Sequence, residues 1–362
     1  MKELNDIILA YDKAVLQNKQ TALATVVRVD GSSYRRPGAR MLITEDGEIT
    51  GAISGGCLEG DALRKAQFAM FEQKNKLAIY DTTDEEDHKL GVQLGCNGIV
   101  YILFEPVDDK DENNPISLLK KVARRRKDAV LVTVFNKNKW AEHIGTFCMI
   151  NESTQRNEDR FYIDAKAALL KKKSLMKMYD NENALYQFVA PPIQLVIVGA
   201  GNDAQPLAGM ASLLGWNIIV TDARPSYATK ERFSKANKIC VEDYSNILLS
   251  IAIDEQTAFV LMTHNYNYDI AALQQLINTN CKYIGLLGPK KKLNKMIDEL
   301  HENGITIHNE KMQNIYGPVG LDIGAETAEE IALSIIAEIK AVFAQRQGSF
   351  LKQKITAIHS SI

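Results

Sequence analysis

No stretch of the chain stays apolar for long enough to cross a bilayer as a helix, so a transmembrane helical protein is not expected. No CxxC pair occurs among the five cysteines, Cys57, Cys96, Cys148, Cys240 and Cys281. That removes the usual spacing of a structural zinc site. An excess of one charge is missing too: 43 basic residues against 45 acidic ones leave a net charge of −2. Whole-molecule attraction to nucleic acid or to an anionic membrane is therefore not expected, and basic clusters such as Arg124-Arg125-Arg126-Lys127 read as a solvated helix face. The opening segment, MKELNDIILAYDKAVLQ, mixes charges among its apolar residues and has no signal-peptide core. The expectation is a cytoplasmic protein with reduced cysteines. Solenoid repeats and low-complexity tracts are also absent.

What is present fits an α/β protein. The 362 residues exceed what one hydrophobic core usually serves, and 46% hydrophobic with 24% charged residues is ordinary for this class. Leu4, Ile7, Ile8, Tyr11, Ala14 and Val15 recur at helical spacing. Strand-like runs follow: TALATVVRVD, ARMLIT, KLAIYDTT, GIVYILFEP and AVLVTVF. Helical patterns occupy LEGDALRKAQFAMFEQ, directly after Cys57, and residues 116 to 127. Residues 151 to 188 are polar, lysine-rich and weakly patterned, and Pro191-Pro192 then stops any helix. Beyond it strands and helices alternate through IQLVIVG, WNIIVTD, AFVLMT and KYIGLLG, the pattern of a parallel sheet covered on both faces. The expected architecture is an N-terminal mixed α/β domain over 1–188 and a Rossmann-like, doubly wound parallel-sheet domain over 189–362. The latter closes on TAEEIALSIIAEIKAVFA, an amphipathic helix opened by Thr327 and Glu330 at capping-box spacing.

Gly199-Ala-Gly201-Asn-Asp-Ala204 follows a strand, opens a helix and matches the dinucleotide fingerprint, with Asp222 at the end of the next strand for a ribose. Asp203 stands inside that turn, where it would repel a pyrophosphate. NAD(P), another nucleotide, some other ligand or none are all open readings of this fold. Ligands of open α/β sheets bind beyond the carboxyl ends of the strands. That rule collects Gly201, Asp222, Arg224, His264 and the segment Gly288-Pro289-Lys290-Lys291 into one crevice. An NAD(P)-dependent oxidoreductase is one functional reading, with His264 as its acid or base.

In the first domain, Cys57 stands in SGGCLEGD after Gly55 and Gly56 and before a helix, where the helix dipole favours a thiolate. Cys96, in LGCNG, has a similar glycine neighbourhood, whereas Cys148, Cys240 and Cys281 read as small packing residues. Upstream, Arg35, Arg36 and Arg40 surround Pro37 and Gly38, a turn whose guanidiniums suit a phosphate or carboxylate.

Six segments, GSSYRRPGARML, GEITGAISGGCLEGD, LGCNGIVYILFEP, VIVGAGNDAQPLA, YIGLLGPKKK and GPVGLDIGAETAEEIALSIIAEI, together resemble the XdhC/CoxI family of xanthine dehydrogenase accessory proteins across nearly the whole chain. The resemblance implies a cytosolic, dimeric accessory protein without independent catalysis. Such a protein binds molybdenum cofactor, holds it during sulfuration with a cysteine desulfurase, and hands it to a molybdenum hydroxylase of the xanthine dehydrogenase type. By position it makes Cys57 the contact to the cofactor's metal. It places Cys96 in a segment that more usually reads GCGG, here changed by Asn97, and sets lysines at 290 to 292 where serine and arginines are frequent.

Overall fold

A computed structural model describes residues 1–81, 98–138, 140–155, 159–243, 246–247 and 250–355. The chain divides into two compact units between Pro191 and Pro192. Each is built on its own sheets.

The first unit runs through α1 (Lys2–Leu16), β1 (Thr21–Gly31), β2 (Arg40–Thr44), β3 (Ile49–Gly51), α2 (Glu59–Glu72), β4 (Lys76–Asp81) and β5 (Gly98–Pro106). It continues with α3 (Pro115–Ala123), β6 (Ala129–Asn136), β7 (Gly145–Asn151), α4 (Arg160–Leu170), β8 (Leu175–Met178) and β9 (Glu182–Val189). Among the described residues the strands form two antiparallel sheets, ordered β3-β2-β1-β5-β4 and β7-β6-β9-β8.

Strand alternation decides which face meets what. On β1, Ala22, Ala24 and Val26 pack against the alanines of α2, Ala62, Ala66 and Ala69. The opposite-facing Val27 meets Phe135 of β6. On β6, Val130, Val132 and Val134 face Ala165, Ala168 and Leu169 of α4. The layers are therefore α2, sheet, sheet, α4, with α1 and α3 closing one end of the inter-sheet core around Leu23, Leu42 and Leu131. The weakly patterned region from 151 to 188 is not loop: it supplies α4, β8 and β9. Strand β9 is buried at four consecutive positions, Asn183 to Tyr186, so no alternation marks it in the sequence.

The second unit contains β10 (Gln194–Val198), α5 (Ala204–Leu213), β11 (Asn217–Asp222), β12 (Lys238–Val241), β13 (Thr257–Leu261), α6 (Tyr266–Leu276) and β14 (Tyr283–Leu286). It ends with α7 (Lys290–Glu302), α8 (Asn309–Met312), β15 (Ile315–Tyr316) and α9 (Ala328–Phe343). Its sheet is parallel and ordered β12-β11-β10-β13-β14-β15, the Rossmann order, with the reversal at β10. Helices α5 and α9 cover one face and α6 and α7 the other. The expected capping box opens α9: Thr327 accepts from the Glu330 amide, and the Glu330 carboxylate accepts from the Thr327 amide.

Candidate functional site

Cys57 lies in an exposed bend two residues before α2. The bend is held from beneath by two side chains. Ser54, itself buried, accepts the amides of Gly56 and Leu58 at 3.1 Å each and donates its hydroxyl to Glu59 Oε2 at 2.5 Å. The Glu59 carboxylate accepts the Ser54 and Leu58 amides in return, each at 3.1 Å. Gly56 sits at φ +111, which a side-chain-bearing residue adopts only with strain. The Ser54, Gly56 and Leu58 amides of the turn are thus satisfied without the cysteine, whose sulfur meets the Ser54 hydroxyl at 3.6 Å. The positive end of α2, expected to favour a thiolate, is shared with two first-turn carboxylates, Glu59 and Asp61. What the fold supplies to Cys57 is access.

The other cysteines differ. Burial pushes the half-buried Cys148 thiol up to about 12 and the buried Cys281 thiol up to about 11, and Cys240 is buried as well. Cys96 and Asn97 lie outside the described residues.

One further motif segment meets the Cys57 bend, and a second meets that segment in turn. A Cβ on Gly55 would lie 3.7 Å from the Tyr34 ring, so the GSSYRR turn stands directly beside the cysteine loop. Gly98, the last residue of LGCNG, pairs with Gly31, and a Cβ there would lie 2.6 Å from the Ser32 carbonyl oxygen. Of the arginines, Arg36 is exposed, while Arg35 turns back to form an ion pair with Glu3 of α1.

Arg40 corrects the expectation of a surface phosphate contact. It is only 4% exposed and lies between the two sheets, because it begins β2 on the face opposite α2. Its Nη1 donates to Gln187 Oε1 at 2.5 Å and to the Gly38 carbonyl at 3.0 Å. Burial pushes the guanidinium down to about 10, against the opposing charges of Glu105 and Glu3. Burial likewise raises Glu105, despite the hydrogen bonds it accepts from Thr146. This is a structural seam.

In the second unit a cavity of about 310 Å³ opens at the carboxyl ends of β10, β11 and β13. Asp222, Arg224, His264 and Tyr268 line it, but Lys290 does not. Asp222 turns inward: Oδ2 accepts the Ala200 amide at 2.7 Å, and both oxygens bind Arg224 at 2.7 to 2.9 Å. Desolvation works against its charge, yet the Arg224 and amide hydrogen bonds hold its carboxyl below the usual carboxylate range. Arg224 also lies over the Tyr227 ring, 3.9 Å from its centroid.

The glycine turn is filled from within. Gly199 takes φ +109, and a Cβ on Gly201 would lie 2.5 Å from Asp203 Oδ1. Asp203 Oδ2 meets His264 Nε2 at 2.8 Å, so the backbone surface that a pyrophosphate would approach carries a carboxylate-imidazole pair. The lysine segment is also rearranged. Lys290 is exposed at the start of α7, whereas Lys292 points inward to the fully buried Asp269, at 2.5 Å. Asp269 in turn accepts the Thr263 hydroxyl at 2.7 Å and so fixes the strand end that carries His264.

Sequence reasoning missed Ser54, Glu59 and Tyr34, though the first two stand at a readable spacing on either side of the glycines. It also missed the Asp203–His264 contact. A family model described as the XdhC and CoxI family matches residues 14–81, which hold the cysteine bend and α2, and one described as the XdhC Rossmann domain matches residues 195–339. A protein from Bacillus subtilis (strain 168), described as a probable xanthine dehydrogenase subunit, is 32% identical over 327 residues, covering 90% of this chain and 94% of that protein. The chain belongs to the XdhC and CoxI family. A second relative, named molybdenum cofactor insertion chaperone PaoD, from Escherichia coli (strain K12), is 24% identical over 330 residues, 91% of this chain and 86% of its own length. A crystal structure of a protein described as a xanthine dehydrogenase from Bacillus halodurans superposes with a TM-score of 0.74 at 29% identity, covering 94% of this chain and 97% of that one. Within the family segment, the residues SGGCLEG are thus not a uniform glycine turn: Ser54 and Glu59 build it, and Cys57 projects from it.

Proposed function

We propose that this protein receives molybdenum cofactor and supports its insertion into a molybdenum hydroxylase of the xanthine dehydrogenase type, with Cys57 meeting the metal end of the cargo. The observation that carries the proposal is an exposed thiol on a bend whose own hydrogen bonds do not need it. A sulfur ligand suits a metal already held by the dithiolene sulfurs of its cofactor, and an exposed one permits both uptake and release. The names of two relatives, one a cofactor insertion chaperone and the other a xanthine dehydrogenase subunit, support the same reading. Sulfuration of the held cargo, with a cysteine desulfurase as sulfur source, belongs to the proposal.

The test is oxygen-free equilibration of the wild type and of Cys57→Ala with released molybdenum cofactor. Metal and pterin retained after desalting are measured, followed by activation of an apo-hydroxylase. The expected result is a folded variant with at least a tenfold loss in retention or transfer. Equal retention and transfer would overturn the role of Cys57. An NAD(P)-dependent oxidoreductase is disfavoured by Asp222, which faces its own backbone and Arg224, and by Asp203, which fills the phosphate turn.

A further inference from the structure

A cavity of about 690 Å³ lies in the first unit between α2, β4 and the connection from β6 to β7. That volume is in the range of small-molecule sites, which are mostly apolar with a few polar groups to fix orientation. Phe104, fully buried, contributes to its wall, and two large aromatics are left open to solvent beside it: Phe68 at 52% exposure and Trp140 at 85%. Its cations are Arg64, Lys65, Lys74 and Lys76. Two of its carboxylates are already answered. Asp61 pairs with Arg64 and Lys65 and accepts the Tyr80 hydroxyl at 2.9 Å, and Glu72 pairs with Lys76. Desolvation opposes the Asp61 charge, but the Lys65, Tyr80 and Arg64 hydrogen bonds still hold its carboxyl below the usual range.

The cavity and the cysteine bend share one helix. Asp61, Arg64, Lys65, Phe68 and Glu72 recur at three- and four-residue spacing, so they form a single stripe on α2. Cys57 stands four residues before Asp61, in the bend outside the helix. Cys57 is not among the lining residues, so the cavity lies beyond the bend rather than around it.

We propose that this cavity seats the planar, phosphate-bearing heterocycle of the cargo, with the ring against Trp140 and the face of Phe68 not covered by Lys76, and the phosphate on Lys74 and on Arg64, drawn from its exposed pair with Asp61. The assignment rests on the proposed function for the identity of the cargo. Its chemistry is independent of the metal: aromatic faces bind a flat ring by stacking, and clustered cations bind a phosphate.

The test uses a metal-free pterin monophosphate and its dephosphorylated form, titrated into the full-length protein and followed by pterin fluorescence. The monophosphate is expected to bind wild type and Cys57→Ala equally. It is expected to bind at least tenfold more weakly to Trp140→Ala and to the double variant Arg64→Glu/Lys74→Glu, all changes at exposed positions. Loss of the phosphate is expected to weaken binding by tenfold or more. Undiminished binding to Trp140→Ala, loss in Cys57→Ala, or no binding by the wild type would each overturn the assignment. If the wild type binds the pterin monophosphate but retains no intact molybdenum cofactor, the proposed function fails and the ring-and-phosphate site stands.

Discussion

Two turns in this molecule share a description, a glycine-rich bend leading into a helix, and do opposite things with their side chains. The bend before α2 satisfies the Ser54, Gly56 and Leu58 amides with Ser54 and Glu59 and leaves Cys57 outside. The bend before α5 satisfies the Ala200 amide with Asp222 and folds Asp203 and His264 over its own glycine. The difference lies in where the partners come from. Ser54 and Glu59 are local and sit on the inner side of the bend. Asp222 and His264 arrive from neighbouring strand ends, Asp222 holding the turn from inside and His264 closing with Asp203 over the outer side. Glycine content alone therefore does not indicate whether a turn is open to a ligand; the position of the surrounding carboxylates does.

The comparison breaks most visibly if Glu59 is removed. Glu59→Ala takes the acceptor from the Ser54 amide and hydroxyl and one of two acceptors from the Leu58 amide. It is expected to destabilise the first unit by at least about 2 kcal/mol, the worth of one hydrogen bond to a charged group being ~1.5–3 kcal/mol. Thermal unfolding measures this, and cofactor retention should fall together with stability. Next comes Asp222→Asn, with a loss of roughly 1–3 kcal/mol in the second unit and no change in cofactor transfer. Because the folded-state pKa of Asp222 is depressed below its ordinary 3.8, its stabilisation is present above that pH and lost as the pH falls through the lower value. Unfolding curves of wild type and variant should accordingly converge in acid. Convergence at neutral pH instead would show that the Arg224 and Ala200 contacts contribute nothing.

A smaller effect concerns the outer side of the second bend. Asp203→Ala removes the carboxylate at Gly201 and is expected to raise affinity for ADP-ribose about tenfold, a change of roughly 1.4 kcal/mol, measurable by calorimetry. If affinity is unchanged, the carboxylate is not what closes the turn. The smallest effect sharpens the contrast among the thiols. Alkylation of the native protein should modify Cys57 and spare Cys240 and Cys281, with no change in fold, as mass analysis of peptides would report.

Much of the fold was legible because it is periodic. The helix after Cys57, the capping box of α9 and the alternation of the second unit all repeat within a few residues. What escaped was set by partners distant in sequence. Arg40 meets Gln187 across 147 positions and Asp203 meets His264 across 61, so neither contact leaves a local pattern. Strand β9 escaped for another reason: buried on both faces, it carries no alternation to read. At the candidate site, the cysteine was legible from its glycines, but its exposure was not, since that depends on Ser54 and Glu59 taking the amides first.

The alanines of α2 seat that helix closely on the first sheet, which makes it a stiff rod. A helix rises about 1.5 Å per residue, so Phe68 stands about 14 Å along the axis from Glu59 at the foot of the cysteine bend. A molecule touching both ends is measured against that fixed interval, and one too short to bridge it can hold only one end. One added turn in α2 would lengthen the gauge by about 5.4 Å and alter which guests fit, with every contacting side chain unchanged.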